Sequence, residues 1–303
     1  MTWFFREEFD VLDVLGNQFA FPDNYFVTDV ETCGFSFARD FIVDVGWAVV
    51  RNRRLENQEN LLLNWSAYPH VDHYYIQQQL RRVEQQYREI GRPFYYPWER
   101  LCDEGEPPLE VLHAYTTLIY EHIKRDGQLV GHGLWRFDRK MIDSHTQRFL
   151  QGYLLPWRLN SIFDTGLLEK AAQMGRPPYD TETLDEWSTR INNANAKGVK
   201  WNLEAHCVPK YHLVERLGVD MALMHTAGFD CELIHYLLET YRQLTEILRG
   251  EKSEIVLRRE EGGPQGETTH GQTGSHQGPT GLQPVREDPA AAAQALGGAG
   301  PGE

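Results

Sequence analysis

Residues 25–34, YFVTDVETCG, constrain the fold more than any other stretch of this chain. Tyr, Phe, Val and Thr favour an extended backbone, and Gly34 breaks the run. Side chains two apart on a strand share a face, so Asp29 and Glu31 stand on the same side, about one pleat apart. Like charges that close raise each other's proton affinity unless a cation sits between them. A hard divalent cation does this best, because it prefers oxygen ligands. The bland alternative is a solvated strand end that carries two acids by chance. The tripeptide alone does not separate the two, and the decision falls to residues far downstream.

Bulk properties narrow the field without choosing a function. At 303 residues, with 41% hydrophobic and 24% charged, the chain can build one large domain or two ordinary ones. No apolar run approaches the ~18–20 residues that a membrane helix needs, so no membrane partner is expected. The opening MTWFFREEFDVLDVLG carries acids where a secretory signal needs a basic head and an apolar core, which argues against secretion. Cys33, Cys102, Cys207 and Cys231 are scattered, with no C-x-x-C pair, and read as reduced thiols of a cytoplasmic protein. His206 and Cys207, with His212, lack the second half of a zinc site and read as packing. The net charge of −14 speaks against coating nucleic acid by bulk electrostatics. An enzyme that grips one strand end through metal and a local basic rim stays open.

The pattern along the chain predicts an α/β fold in three parts. Residues 1–22 form an N-terminal extension with an apolar face that includes Trp3, Phe4, Phe5 and Phe9. Strands follow over 24–31, 41–50 and 59–65, with the charged run RNRRLENQEN read as a turn, and short connections favour an antiparallel meander. A helix over 76–90 is broken by GRPFYYPW, and Pro107-Pro108 opens a second helix with Val111, Leu112, Tyr115, Leu118, Ile119 and His122 on one stripe. Strands over 127–133 and 158–165 alternate with helices, the sign of parallel crossovers onto the same sheet. Helices are expected over 137–150, 182–191, 208–217 and 230–248. Residues 251–303 turn to Gly, Pro, Gln, Thr and Ala and read as a disordered tail, leaving 23–250 as the folded domain.

Three segments of that domain carry the chemistry. TDVETCG holds Asp29 and Glu31; LVGHGLWRFDRKMI places Asp138 at the head of a helix; HTAGFDCELI sets His225 five residues ahead of Asp230. Strand ends and helix N-termini of an α/β sheet meet at the crevice where ligands bind. Asp-x-Glu, then Asp, then His-x4-Asp, in that order, resembles the DEDDh (DnaQ-like) family of 3′–5′ exonucleases. That family includes the proofreading epsilon subunit of bacterial DNA polymerase III and ribonuclease T, and has an RNase H-like fold. The likeness runs over about residues 25–248, with weaker echoes in GEPPLEVL and FDTGLLEKA.

The resemblance implies an RNase H-like five-stranded mixed sheet, with Asp29, Glu31, Asp138 and Asp230 holding two divalent cations, Mg²⁺ or Mn²⁺, and His225 as general base. It implies 3′–5′ hydrolysis of single-stranded DNA with release of nucleoside 5′-monophosphates, and a partner nucleic acid with a free 3′ end. Thr32, Gly34, Phe35 and His132 stand where the family meets the terminal nucleotide. One departure is plain: the family's second motif reads GHN, whereas this chain has Gly133 after His132, so an amide that helps hold the substrate end is absent. Spans 66–100 and 176–202 read as insertions. Lys197, Lys200 and Trp201 make a small basic-aromatic cluster, for which a solvated loop is the simpler reading; Phe35, Phe37 and Trp135 are candidates for base stacking, with core packing the alternative. An exoribonuclease trimming RNA 3′ ends, and a non-catalytic nucleic-acid-binding adaptor, are the competing readings. The tail is compatible with tethering to a DNA polymerase or another machine.

Overall fold

Strand alternation divides the domain into two cores. The computed structural model describes residues 21–257 except 153, 159–160, 180, 196, 219–224, 251–253 and 255. Residues 1–20 of the extension and most of the 251–303 tail lie outside the described residues. The strands are β1 (Tyr25–Thr32), β2 (Ile42–Arg51), β3 (Arg54–Leu62), β4 (Gln128–Gly131) and β5 (Ile162–Asp164), in the order β3-β2-β1-β4-β5. The first three are antiparallel; β4 lies parallel to β1, and β5 parallel to β4. This is the expected five-stranded mixed sheet, an antiparallel meander followed by parallel crossovers.

The helices are α1 (His73–Glu89), α2 (Trp98–Glu104), α3 (Pro108–Lys124), α4 (Asp138–Phe149), α5 (Thr165–Gln173), α6 (Leu184–Asn193) and α7 (Ala227–Leu248). Along β1, Tyr25 and Val27 enter a core that contains Leu168, Trp187, Leu233 and Leu237 from α5, α6 and α7. Phe26 and Val30 face the opposite way, into a core that contains Ile76, Leu101, Leu112 and Met141 from α1 to α4. Asp29 and Glu31 share the parity of Tyr25 and Val27, so they face the α7 side.

Several elements depart from the sequence pattern. RNRRLENQEN is not a turn throughout: only Asn52 and Arg53 turn the chain, with φ of 49° and 69°, and β3 starts at Arg54. β3 is an edge strand with exposed positions, where charged residues meet water at no cost. Arg53 is also held by Glu239, at 2.8 Å, and Glu246, at 3.3 Å, of α7. Leu118 is exposed and is not part of the buried stripe of α3. The expected helix over 208–217 is split into Val208–Lys210 and Leu213–Leu217 by His212, at φ 52°. Within the tail, the Gln243 side chain bonds the Val256 backbone N–H at 2.8 Å and carbonyl at 2.9 Å, and Leu257 is buried in the α7-side core. Among the described residues, no helix is long and apolar enough to cross a membrane.

The N-terminus of α7 sits hard on the sheet. It begins at Ala227, three residues earlier than the pattern implied, which places Asp230 in the first turn. Asp44 of β2 accepts the Ala227 N–H at 3.1 Å, and Asn60 of β3 accepts the Gly228 N–H at 2.6 Å, so two of the helix's orphan donors are satisfied by the sheet. A Cβ at Gly46 would lie 2.1 Å from the Ala227 backbone, and Gly46 pairs directly with Asp29. Glycine at 46 therefore allows the helix end to descend beside the acids. Gly46→Ala is expected to cost about 3 kcal/mol or more, the upper end of overpacking penalties, read as a lower denaturation midpoint in urea.

Candidate active site

Strand β1 delivers Asp29 and Glu31 at its C-terminal end, α4 delivers Asp138, and the first turn of α7 delivers Asp230. The loop after β4 is held by Asp164, whose carboxylate accepts the backbone N–H groups of Gly133 (2.8 Å), Trp135 (3.0 Å) and Leu167 (3.0 Å). That clamp fixes where α4 begins. Asp138 and Asp230 are both buried, at 4% and 5% exposure. Asp138 Oδ2 and Asp230 Oδ1 are buried without a hydrogen-bond partner.

Electrostatics ties the acids into one cluster. Burial, followed by the charges of Glu204 and Asp44, raises Asp29 from its ordinary 3.8 to about 8. Burial raises Glu31 as well, followed by Asp29, Glu204, Asp44 and Asp138. Asp138 rises through burial and then Asp29 and Asp164, and Asp230 through burial and then Glu204, Asp29 and Glu31. One ligand atom each from Glu31, His225 and Asp230 lies within 4.8 Å of the others. Four mutually repelling carboxylates, two with a naked buried oxygen, are the donor set of a hard divalent cation. The residues present fit such ions.

His225 stands beside the acids on a strained backbone, at φ 68°, a region that non-glycine residues seldom occupy. The Tyr96 hydroxyl lies 2.7 Å from the His225 carbonyl and 2.9 Å from an Asp44 carboxylate oxygen, so its single proton is shared between the loop and β2. The imidazole Nε2 lies 2.5 Å from Glu204 Oε2 and 2.8 Å from Arg92 Nη1, and Arg92 also reaches Glu204 at 3.3 Å. The two contacts compete for one nitrogen. A protonated Nε2 donates to Glu204, whereas a bare Nε2 accepts from Arg92.

Glu204, Arg92, Tyr96 and Asp44 were invisible to motif reading. Arg92 and Tyr96 sit in the irregular GRPFYYPW segment, and Glu204 sits in a π-helical turn, Leu203–Cys207, capped by Asn202. A single Glu in an irregular loop carries no spacing signal; only the fold brings it to His225. Asp44 lay inside an apolar strand run, where a buried acid was itself a signal.

The remaining predicted positions are placed less evenly. Thr32 Oγ1 donates to the Gly34 carbonyl at 2.6 Å, and a Cβ at Gly34 would strike Asp40 at 2.3 Å, so this turn is built tightly. Phe35 is 83% exposed and meets Phe137 edge-on at 5.9 Å. His132 has both ring nitrogens engaged, Nδ1 with Thr165 Oγ1 at 2.9 Å and Nε2 with the Trp201 carbonyl at 2.6 Å. Its ring thus holds two loops together. The Trp135 ring lies under the Arg139 guanidinium at 4.1 Å and packs against the α1-to-α4 core; Phe37 packs against the same core and also lines a groove beside Asp138.

No protein-family model matches the sequence, and no curated protein matches it. Solved structures do. Exonuclease I of E. coli in complex with a dT13 oligonucleotide aligns with a TM-score of 0.49 and 15% identity, covering 76% of this chain and 43% of that one. The zinc-ion-bound form of the E. coli exonuclease I–single-stranded DNA complex aligns at 0.46 and 13% identity, covering 76% and 43%. The metal-free form of the same complex aligns at 0.42 and 15%, covering 76% and 42%. The chain therefore spans less than half the length of these exonuclease chains.

The raised acids make stability depend on pH with a definite sign. In the folded protein Asp29 keeps its proton up to about 8, while the unfolded chain releases it near 3.8. The folded state thus binds more protons between those values, and its stability falls as pH rises through them. In EDTA, the urea midpoint of the parent should drop relative to that of Asp29→Asn as pH rises from 4 to 8, and the difference should level off at lower pH. A constant difference across that range would contradict the raised proton affinity.

Proposed function

We propose that this protein is a metal-dependent 3′–5′ exonuclease that removes nucleoside 5′-monophosphates from single-stranded DNA. The observation that carries the reading is the meeting of Asp29, Glu31, Asp138 and Asp230, with orphaned oxygens on Asp138 and Asp230, next to His225. These acids come from three separate segments, in the order and settings of the DEDDh pattern. Asp29, Glu31, Asp138 and Asp230 would hold two divalent cations, Mg²⁺ or Mn²⁺. Bound there, such ions supply the positive charge that attracts the phosphodiester, acidifies the attacking water and stabilises the leaving 3′ oxygen.

The chain's own residues do the rest. His225 takes the proton from the attacking water, the general-base role that the DEDDh pattern gives this position. Glu204 fixes the imidazole by its 2.5 Å contact with Nε2. Arg92 lies 2.8 Å from the same nitrogen, so Nε2 is the held end of the ring and Nδ1 is the end that takes the proton. Tyr96 holds the strained His225 backbone from below. Nothing in this arrangement favours a non-catalytic adaptor, since all five family site residues are present.

Asp29→Ala should abolish Mg²⁺-dependent shortening of a 5′-labelled single strand; substantial residual activity would remove the metal assignment. His225→Ala should slow turnover by ~10²–10⁴-fold, the usual contribution of a general base, with Mg²⁺ binding by calorimetry retained. Glu204→Gln keeps the shape and removes the charge. Its kcat should fall about tenfold, with KM for the strand unchanged, as expected for loss of one charge-assisted hydrogen bond. A change confined to KM would show that Glu204 acts on the substrate and not on His225.

A further inference from the structure

A groove of about 670 Å³ opens at Asp138 and is walled by Phe35, Phe37 and Phe137 on one side and Trp201 on the other. It shares Lys200 and His206 with a neighbouring cavity of about 700 Å³ whose lining includes Lys210 and His212. The chain as a whole has 30 Lys and Arg against 44 Asp and Glu. This track inverts that balance. Its charged lining is Arg136, Lys140, Lys200 and Lys210, with Asp138 at the head as its one carboxylate. Lys210 is spoken for by the buried Glu169 at 3.2 Å, whereas Arg136, Lys140 and Lys200 are exposed.

Trp201 is built into the groove and is not a loose loop residue. Its ring stacks with His132 at 29° and 6.0 Å, and its carbonyl bonds His132 Nε2. The indole covers Gly133 and Gly166: a Cβ on Gly166 would lie 3.1 Å from it, and one on Gly133 would lie 3.6 Å from it. Gly133 also has φ 84°, which favours glycine. The missing asparagine of the second motif and the presence of Trp201 are thus one feature: an aromatic face lies over the place where a side-chain amide would be. His132 is engaged at both ring nitrogens and Asn202 Oδ1 accepts the Ala205 N–H at 2.8 Å, whereas the buried Nδ1 of His206, which also lines the groove, has no partner.

We infer that this groove seats the last nucleotides of single-stranded DNA, with bases stacked on Phe35 and Trp201 and phosphates met by Arg136, Lys140 and Lys200. This rests on the nuclease reading and adds to it the path of the strand away from the metal-binding acids. Stacking demands an unpaired base with an open face, and it tolerates any base, so the groove selects single strands without reading sequence. The basic side chains follow the backbone and make binding salt-dependent.

The test is binding of 5′-fluorescein-labelled dT12 to the full chain by anisotropy, in Ca²⁺, over a series of KCl concentrations. Trp201→Ala should weaken Kd about tenfold or more at every salt concentration, within the range for loss of one base stack, with the salt slope unchanged. Trp201→Phe keeps a stacking face and should fall between, which guards against a variant that merely misfolds. Lys140→Glu with Lys200→Glu should flatten the log Kd–log salt slope by about 1.4, at roughly 0.7 per phosphate contact on a single strand. An unchanged Kd in Trp201→Ala, or an unchanged slope in the double variant, would overturn the groove; tighter binding of U12 than of dT12 would overturn its assignment to DNA. Hydrolysis of the p-nitrophenyl ester of thymidine 5′-monophosphate by the parent, with Mg²⁺, reports on the catalytic centre separately. An inert centre alongside the expected binding phenotypes would sink the nuclease reading and leave the strand path standing.

Discussion

The site depends on a close approach between a helix end and a sheet. At Gly46 the backbone of α7 comes so near to β2 that a methyl group would not fit, and this contact lies directly across the ladder from Asp29. Asp44 and Asn60 answer the first N–H groups of the helix, so its N-terminus is seated by hydrogen bonds as well as by shape. Asp230 is one turn of helix away from that seat. Its position relative to Asp29 and Glu31 is therefore set by backbone packing, which is stiffer than any side-chain contact. The long apolar face of α7 supports the arrangement, and Tyr25, Val27 and Leu237 lie in the same core.

That rigidity has an electrostatic cost. Without cations, Asp29, Glu31, Asp138 and Asp230 are all driven toward their neutral forms, by burial first and by each other second. A fold selected for stability alone would pair these acids or replace them. Instead, oxygens of Asp138 and Asp230 are left with no partner. Asp44 makes the contrast: it is buried too, but the Asn60 side chain and the Ala227 N–H donate to it and the Tyr96 hydroxyl lies 2.9 Å away, so its carboxylate is engaged in holding the helix. Burial with partners suits a structural acid, whereas unpartnered oxygens on clustered acids suit a cation.

Much of this was legible in the sequence because it follows short-range rules. Strand alternation put Asp29 and Glu31 on one face, and β1 keeps a regular register with β2 from Tyr25 to Glu31, shifting only at Thr32. The helix after Pro107-Pro108 follows from periodicity and from proline in its first turn, and the helix beginning at Asp138 from periodicity. Edge strand β3 was partly missed because its charged residues mimic a turn, and only the sheet order shows why water there is harmless. Glu204 and Arg92 were missed for a different reason. Each is a single charged residue in an irregular segment, and Arg92 meets Glu204 across 112 positions and His225 across 133, closures that no local pattern encodes.

The two stretches that read as insertions are where this chain becomes individual. Span 66–100 brings Arg92 and Tyr96 to His225, and span 176–202 ends at Trp201, just before Glu204. Both converge on the acids from outside the sheet, one on the base and one on the groove. Gly133 shows how closely the two levels are joined. A residue that looks like a simple loss within the motif sits at φ 84° beneath an indole from the second stretch, which packs most tightly on Gly166. Local charge resolves the other apparent conflict, between a net charge of −14 and a polyanionic strand. Screening in physiological salt confines exposed charges to about 8 Å, so a strand in the groove responds to Arg136, Lys140 and Lys200 far more than to the distant acids.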